Sequence, residues 1–310
     1  MHEIYDIIVI GAGTAGMTAA IYGQRAGKQV LMIEEGMYGG QIINTPEVEN
    51  YPGVAKIPGF QFAMNLFEQA SALGAKLESG RVTGITSVST DGKPIFTVSM
   101  GEQNFQGKTV ILATGAKNRK LGLSNEQALT GRGVSYCATC DGAFYRDKTV
   151  AVVGGGNTAL EDAEYLADIC KQVYIIHRRE EFRGESGLAN RVSQKPTVTL
   201  AMNAVVTGLI GEGHLEQVEI EDVRTKERKQ LSVDGVFVAI GQEPDNGAFA
   251  DLVEIDEQGY IVAGEDCKTA TPGIFVAGDC RTKTVRQLTT AAADGAVAAL
   301  AAVSYMNYNS

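Results

Sequence analysis

The apolar positions of this chain fall into short unbroken runs, each closed by glycine and followed by a stretch of helical character. Ile7-Ile8-Val9-Ile10 is bounded by Gly11-Ala12-Gly13-Thr14-Ala15-Gly16, and Met17 to Ala26 has helical composition. Four apolar residues without polar alternation read as a parallel strand covered on both faces. Val30-Leu31-Met32-Ile33 is a second such strand, and the Gly-, Asn- and Pro-rich segment from Gly39-Gly40-Gln41 to Pro52-Gly53 is a functional loop. Phe62, Ala63, Leu66, Phe67, Ala70 and Leu73 recur near a 3.6-residue period, which predicts a helix packed on a sheet over 60–73. From Lys76 to Val110 the pattern changes to short β-rich pieces, with turn signals at Asp91-Gly92 and Gly101. Val110-Ile111-Leu112-Ala113 is another buried strand, closed by Thr114-Gly115-Ala116.

The opening pattern then returns. Thr149-Val150-Ala151-Val152-Val153 leads into Gly154-Gly155-Gly156-Asn157-Thr158-Ala159 and a helical stretch from Leu160 to Ala167. Setting Gly154 against Gly11, a shift of 143 residues, brings Gly156 onto Gly13, Ala159 onto Gly16, Lys171-Gln172-Val173 onto Lys28-Gln29-Val30, and Ile176 onto Ile33. One βαβ unit is used twice. The chain is strand-rich again from Val205 to Ile240, and Gly241-Gln242-Glu243-Pro244 marks a boundary. Near the end Gly273-Ile274-Phe275-Val276-Ala277-Gly278-Asp279 reads as strand, glycine and acid, followed by Arg286-Gln287 and an alanine-rich helix to Val303. Its apolar part, Ala291 to Val303, is interrupted by Asp294 and Gly295 and reads as too short to span a membrane.

Each βαβ unit carries a dinucleotide fingerprint: glycines for the tight turn and close backbone approach, then a helix N-terminus for a pyrophosphate. At the end of its second strand the first unit has Glu34; in the same register the second has His177-Arg178-Arg179, with Arg183 shortly after. A carboxylate accepts from free ribose hydroxyls, whereas cations grip a 2′-phosphate through charge-assisted bonds. The first site therefore reads as FAD and the second as NADPH. Asp279 has the position and chemistry to bond a flavin ribityl chain.

Between the two units lies Cys137-Ala138-Thr139-Cys140-Asp141-Gly142. Two cysteines at this spacing can close and open a small disulfide ring, which makes them a two-electron store, and the adjacent Asp141 can supply the proton a departing thiolate needs. The alternative is half a zinc site. Zinc normally takes a second Cys/His pair, whereas Cys170, Cys267 and Cys280 are spread along the chain and His2, His177 and His214 are isolated from one another. No metal is expected.

Composition adds bounds. A length of 310 residues fits about two domains, and 44% hydrophobic with 21% charged residues is ordinary for a globular protein. A net charge of −10 argues against nucleic acid or an anionic membrane surface as partner. Met1-His2-Glu3-Ile4-Tyr5-Asp6 lacks a basic leader, and five cysteines suit a catalytic pair plus free thiols, so a cytoplasmic location is expected.

These motifs, in this order, resemble the low-molecular-weight thioredoxin reductases over essentially the whole chain. The resemblance implies two Rossmann-like α/β domains: a discontinuous FAD domain at 1–115 and 245–310, and an inserted NADPH domain at 116–244 carrying the redox cysteines. It implies FAD contacts from Gly11, Gly13, Ala15, Gly16, Glu34, Glu35, Gly40, Gln41, Asn50, Ala113, Thr114, Gly115, Gly278, Asp279, Arg286 and Gln287. NADPH contacts are implied for Gly154, Gly156, Asn157, Thr158, Ala159, His177, Arg178, Arg179 and Arg183. Electrons are expected to pass from NADPH to flavin, to Cys137–Cys140, and on to oxidised thioredoxin. Cys140 is implied to lie against the flavin, with Cys137 as attacking thiol and Asp141 as acid/base, in a homodimer whose domains swivel. The competing readings are a ferredoxin-dependent reductase, which has no use for Arg178, Arg179 and Arg183, and a peroxiredoxin-system reductase, expected to carry an extra N-terminal thioredoxin-like module. Flavodoxin or ferredoxin NADP reductases have no need of the cysteine pair, and a non-catalytic redox sensor has no need of a second dinucleotide site.

Overall fold

The computed structural model describes residues 3–45, 47–90 and 93–308; the expected Asp91-Gly92 turn lies outside them. The chain divides into two compact units, one running to Lys117 and resuming at Glu243, the other covering Asn118–Gln242.

The first unit opens with β1 (Ile4–Ile10), α1 (Thr14–Arg25), β2 (Val30–Glu34), α2 (Gly59–Ala72), β3 (Lys76–Ser79), β4 (Gly84–Thr90), β5 (Lys93–Met100) and β6 (Gln103–Leu112). Strands β3, β2, β1 and β6 lie side by side in parallel, while β4, β5 and the first half of β6 pair antiparallel. Ile7, Ile8 and Val9 are fully buried because both faces of β1 are covered. Ile7 and Val9 face α1, and Ile8 and Ile10 face Phe96 and Val98 of the antiparallel layer. That is why these strands read as unbroken apolar runs rather than alternating ones.

The second unit contains β7 (Val134–Ser135), α3 (Ala138–Asp141), β8 (Thr149–Val153), α4 (Asn157–Ala167), β9 (Gln172–His177), α5 (Ser186–Ser193) and β10 (Val198–Met202). It ends with β11 (Ala204–Ile210), β12 (Gln217–Asp222), β13 (Arg228–Ser232) and β14 (Gly235–Val238). The order β10-β9-β8-β14-β7 forms a parallel sheet, and β11-β12-β13 an antiparallel one. The repeat survives as strand register: Ile7 pairs with Val30 and Ile10 with Ile33, while Val150 pairs with Val173 and Val153 with Ile176. It extends one strand further than the motifs show, since Leu112 faces Ile10 as Val238 faces Val153. This third strand sits at a different offset because the connecting segments differ in length.

The chain returns to the first unit through β15 (Ile274–Val276), parallel to the end of β6, and finishes in α6 (Leu288–Tyr308). This helix is longer than the sequence reading expects, and at 21 residues with a mean hydropathy of 1.3 it reaches spanning length. Asp294 does not interrupt it, because its buried carboxylate is met by Arg281 Nε and Lys283 Nζ, each at 2.9 Å. Gly295 lets the helix backbone close on α1, where a Cβ would come within 2.2 Å of the Ala15 carbonyl oxygen. Ala291, Ala298, Ala299 and Ala302 are buried in the same seam, so α6 is a core helix of this unit.

Candidate active site

Both glycine turns are built the same way. Gly11 has φ +102° and Gly154 φ +151°, and a Cβ on either would lie 2.3 Å from a backbone carbonyl oxygen, of Ala113 and Ala239 respectively. Only glycine satisfies both the conformation and the approach. The Gly11 and Gly154 N–H groups donate to Ile33 and Ile176, at 2.8 and 3.0 Å. Helices α1 and α4 start at Gly13 and Gly156 with no side-chain cap, leaving first-turn N–H groups for an anion.

Around the first turn the structure gathers distant residues. Glu34 accepts from Ala12 N at 2.7 Å and Gly36 N at 3.0 Å, which holds its carboxylate against the turn. Gly39 N donates to Ala12 O at 2.7 Å, and Gly40 lies beside Gly13. Buried Ala15 faces Gly278, and Gly16 is pressed against the Gly11 carbonyl. Gln41 donates to the Ala116 carbonyl, and Asn50 Nδ2 donates to Gln287 Oε1 at 3.2 Å. Glu35 is exposed and paired with Arg81 at 3.0 Å. Arg286 lies 4.1 Å over the Tyr260 ring and donates to the Asp279 carbonyl at 3.4 Å. Asn246, which sequence reasoning did not single out, ties these loops together: it accepts from Thr114 Oγ1 at 2.9 Å and donates to the Gly259 and Cys280 carbonyls. Cys280 is fully buried, its thiol directed at the Leu112 and Ala277 carbonyls, as an inert core residue.

Asp279 supplies the test of whether a flavin fits here. Its Oδ1 is buried without a hydrogen-bond partner, and burial pushes its carboxyl pKa up. A buried acceptor without a donor is costly unless a ligand supplies one. A polyol hydroxyl of FAD would meet that need, beside an uncapped helix end and a glycine cradle.

The second turn differs where the sequences differ. His177 is buried; its ring lies against Gly155, stacks on Phe182 at 5.6 Å and contacts the Glu181 carbonyl through Nε2 at 3.1 Å. Burial first, then the charges of Arg179, Arg178 and Arg183, push its pKa below the ordinary value of 6.5. It is therefore neutral and shapes the turn rather than adding a cation to it. Arg178, Arg179 and Arg183 are exposed, and Arg183 N donates to Gly155 O at 2.7 Å, folding the cationic loop onto the glycines. Gly156, Asn157 and Arg183 line one open pocket with Gly184 and Glu185. Asn157 Oδ1 accepts from Glu185 N at 2.7 Å, exposed Thr158 follows it, and Ala159 is buried under Gly154.

In the same unit Cys137 and Cys140 form a disulfide, with S–S 2.06 Å and Cα atoms 5.3 Å apart. Cys137 precedes the single turn α3, and Asp141 ends it. Burial raises the Asp141 carboxyl pKa, and a hydrogen bond from Ser135 Oγ to Oδ2 at 2.6 Å draws it partly back. A carboxyl raised from its usual range beside a disulfide is suited to hand protons to and from sulfur. Ser135 was missed from sequence; a serine two residues before a cysteine carries no signal until the turn brings it to Asp141.

Two dinucleotide turns and a disulfide with its own acid define a class, the pyridine nucleotide-disulphide oxidoreductases, and residues 5–295 match the family described by those words. The thioredoxin reductase of Listeria innocua is 43% identical over 306 residues, covering 98% of this chain and 95% of that protein. The crystal structure of thioredoxin reductase from Streptococcus pyogenes matches at a TM-score of 0.93 and 39% identity, covering 99% of this chain and 100% of that one. That of Lactococcus lactis, in the FR conformation, matches at a TM-score of 0.67 and 38% identity, covering 98% of this chain and 99% of that one. The chain belongs to the low-molecular-weight thioredoxin reductases, a family that uses FAD and NADPH.

Proposed function

We propose that this protein is a thioredoxin-disulfide reductase in which the first unit holds FAD and the second holds NADPH and carries the redox cysteines. The observation that carries the reading is the Cys137–Cys140 disulfide with the partly buried Asp141 beside it. Bound FAD supplies the chemistry that turns the hydride of NADPH into electrons for a disulfide. Gly11, Gly13, Glu34, Gly40, Thr114 and Asp279 would hold it. Arg178, Arg179 and Arg183 select the 2′-phosphate, which favours NADPH over a ferredoxin as electron source. Cys137 attacks the thioredoxin disulfide, Cys140 resolves the mixed disulfide, and Asp141 carries the proton.

The nucleotide turn and the cysteine pair share one unit, and both require the flavin of the other, so they take turns. The polypeptide crosses between units at Lys117–Asn118 and Gln242–Glu243, where Gln242 Nε2 donates to Asn118 Oδ1 at 2.9 Å. The Lactococcus lactis enzyme was solved in a named conformation, FR, and it scores 0.67 where the Streptococcus pyogenes enzyme of nearly equal identity scores 0.93, which supports alternation within the family. Exposed Ala293, Val297 and Leu300 form an apolar stripe on α6 and support a homodimer; three buried free thiols support a reducing, cytoplasmic setting.

The test is turnover of oxidised thioredoxin with NADPH in Cys137→Ser and Cys140→Ser variants. Each is expected to keep bound flavin and lose turnover by roughly three orders of magnitude or more. Turnover retained by either variant would contradict the reading.

A further inference from the structure

We propose that Ser135 is a positioning residue for thiol–disulfide exchange, holding the Asp141 carboxylate and the Cys137 backbone in one hydrogen-bonded frame. The inference rests on the reading of Cys137, Cys140 and Asp141 as the exchange machinery. Ser135 ends β7, is 4% exposed, and pairs with Phe237 of β14, so the sheet fixes its position. Its hydroxyl donates to Asp141 Oδ2 at 2.6 Å and accepts from Cys137 N at 3.2 Å. The Cys137 carbonyl is also within 3.4 Å of Ser135 Oγ, but the hydroxyl has one proton, and the nearer, charged acceptor takes it. Asp141 N donates to that carbonyl at 3.1 Å, closing the ring of contacts around α3.

The consequence is chemical as well as geometric. A donor to a carboxylate favours its charged form, so Ser135 opposes the burial that pushes Asp141 up. The titratable groups near Asp141 include the two cysteines of its own turn, Tyr145, and Tyr165 of α4. The Tyr145 phenol is pushed up to about 12, by burial first and then by the charges of Asp141 and Asp234. Helix α4, packed on the turn, presents Tyr165 and Leu166 to the adjacent Gly142.

In the exchange, the Cys137 thiol gives its proton to Asp141 and its sulfur attacks the acceptor disulfide. The acceptor S–S bond breaks as the mixed disulfide forms, and the departing thiolate takes the proton from Asp141. The Cys140 thiol repeats the sequence on the mixed disulfide, re-forming Cys137–Cys140 and releasing the acceptor as a dithiol. Two electrons and two protons leave the protein, and the carboxyl ends as it began.

The test uses the flavin-loaded, dithiol-reduced full chain as wild type, Ser135→Ala and Ser135→Thr, with an oxidised bacterial thioredoxin and dithiobis(nitrobenzoate) as separate acceptors. Carbon-13 NMR of aspartate-labelled protein, with Asp141→Asn to assign the signal, follows the carboxyl directly. Ser135→Ala is expected to raise the Asp141 pKa by about one unit, the worth of one hydrogen bond to a charged group. The acid limb of the exchange rate moves upward by the same amount for both acceptors, the alkaline plateau stays in place, and Ser135→Thr restores both. An unmoved carboxyl titration, or a rate loss equal at every pH, overturns the assignment. If wild type reduces the small disulfide but not thioredoxin, the functional reading fails, while the small-disulfide limb and the carboxyl titration still decide the role of Ser135.

Discussion

The two glycine turns share a backbone path and part company at the end of the second strand. Gly11 and Gly154 meet carbonyl oxygens at the same distance and anchor to the second strand by equivalent bonds. Yet Glu34 lies against its turn as an acceptor from Ala12 N, while His177 is withdrawn under Gly155 and leaves three exposed arginines around the mouth. In the function proposed above, the shared part would fix a dinucleotide and the differing part would decide which one. On that proposal a repeated scaffold would gain two specificities by exchanging a carboxylate for a packed imidazole and a cationic loop.

The comparison breaks most severely at the glycines. Gly154→Ala forces a Cβ into the Ala239 carbonyl and should abolish reduction of the flavin by NADPH while leaving the protein yellow. Gly11→Ala, with the same clash against Ala113, should yield protein without flavin. Absorbance spectra of the purified variants separate the two; loss of flavin in both, or in neither, would mean the turns are not assigned to different cofactors. A smaller effect is expected from Arg178→Ala with Arg179→Ala, which should raise the Michaelis constant for NADPH roughly 100-fold through two lost charge-assisted contacts and leave that for NADH nearly unchanged. Steady-state kinetics with both nucleotides checks this, and equal effects would remove the 2′-phosphate argument.

The smallest effect concerns His177. Its folded pKa lies below 6.5, so the unfolded chain binds more protons there and stability rises with pH through that window. The contribution is present in full above 6.5 and is lost as pH falls toward the folded value. His177→Gln should flatten the pH dependence of the second unit's unfolding below about pH 6.5 without moving that of the first. Hydrogen exchange resolved by unit measures it; an unchanged slope would return His177 to the solvated cationic rim.

How much of this was legible beforehand follows from the range of the interactions. The parallel strands were legible because burial on both faces leaves an apolar run, and the repeat because register demands constant spacing between Gly11 and Val30 and between Gly154 and Val173. The pairing of Ser135 with Asp141, the bridge that Asn246 makes from Thr114 to Cys280, and the neutralisation of Asp294 by Arg281 and Lys283 were not legible. Each depends on side chains brought together by turns or by distant strands, and the residue types alone fit many other uses. The inward turn of His177 was not legible for a related reason: in sequence it stands with arginines, and its contacts with Phe182 and the Glu181 carbonyl appear only in the fold.

The most direct test of the electron path is an anaerobic titration of the flavin-loaded protein, following the visible flavin absorbance. NADPH is added first, NADH in a parallel sample, and oxidised thioredoxin last. The account predicts bleaching at stoichiometric NADPH, little change with NADH, and recovery of the colour with thioredoxin. Flavin that stays oxidised with NADPH but bleaches with reduced ferredoxin would contradict it.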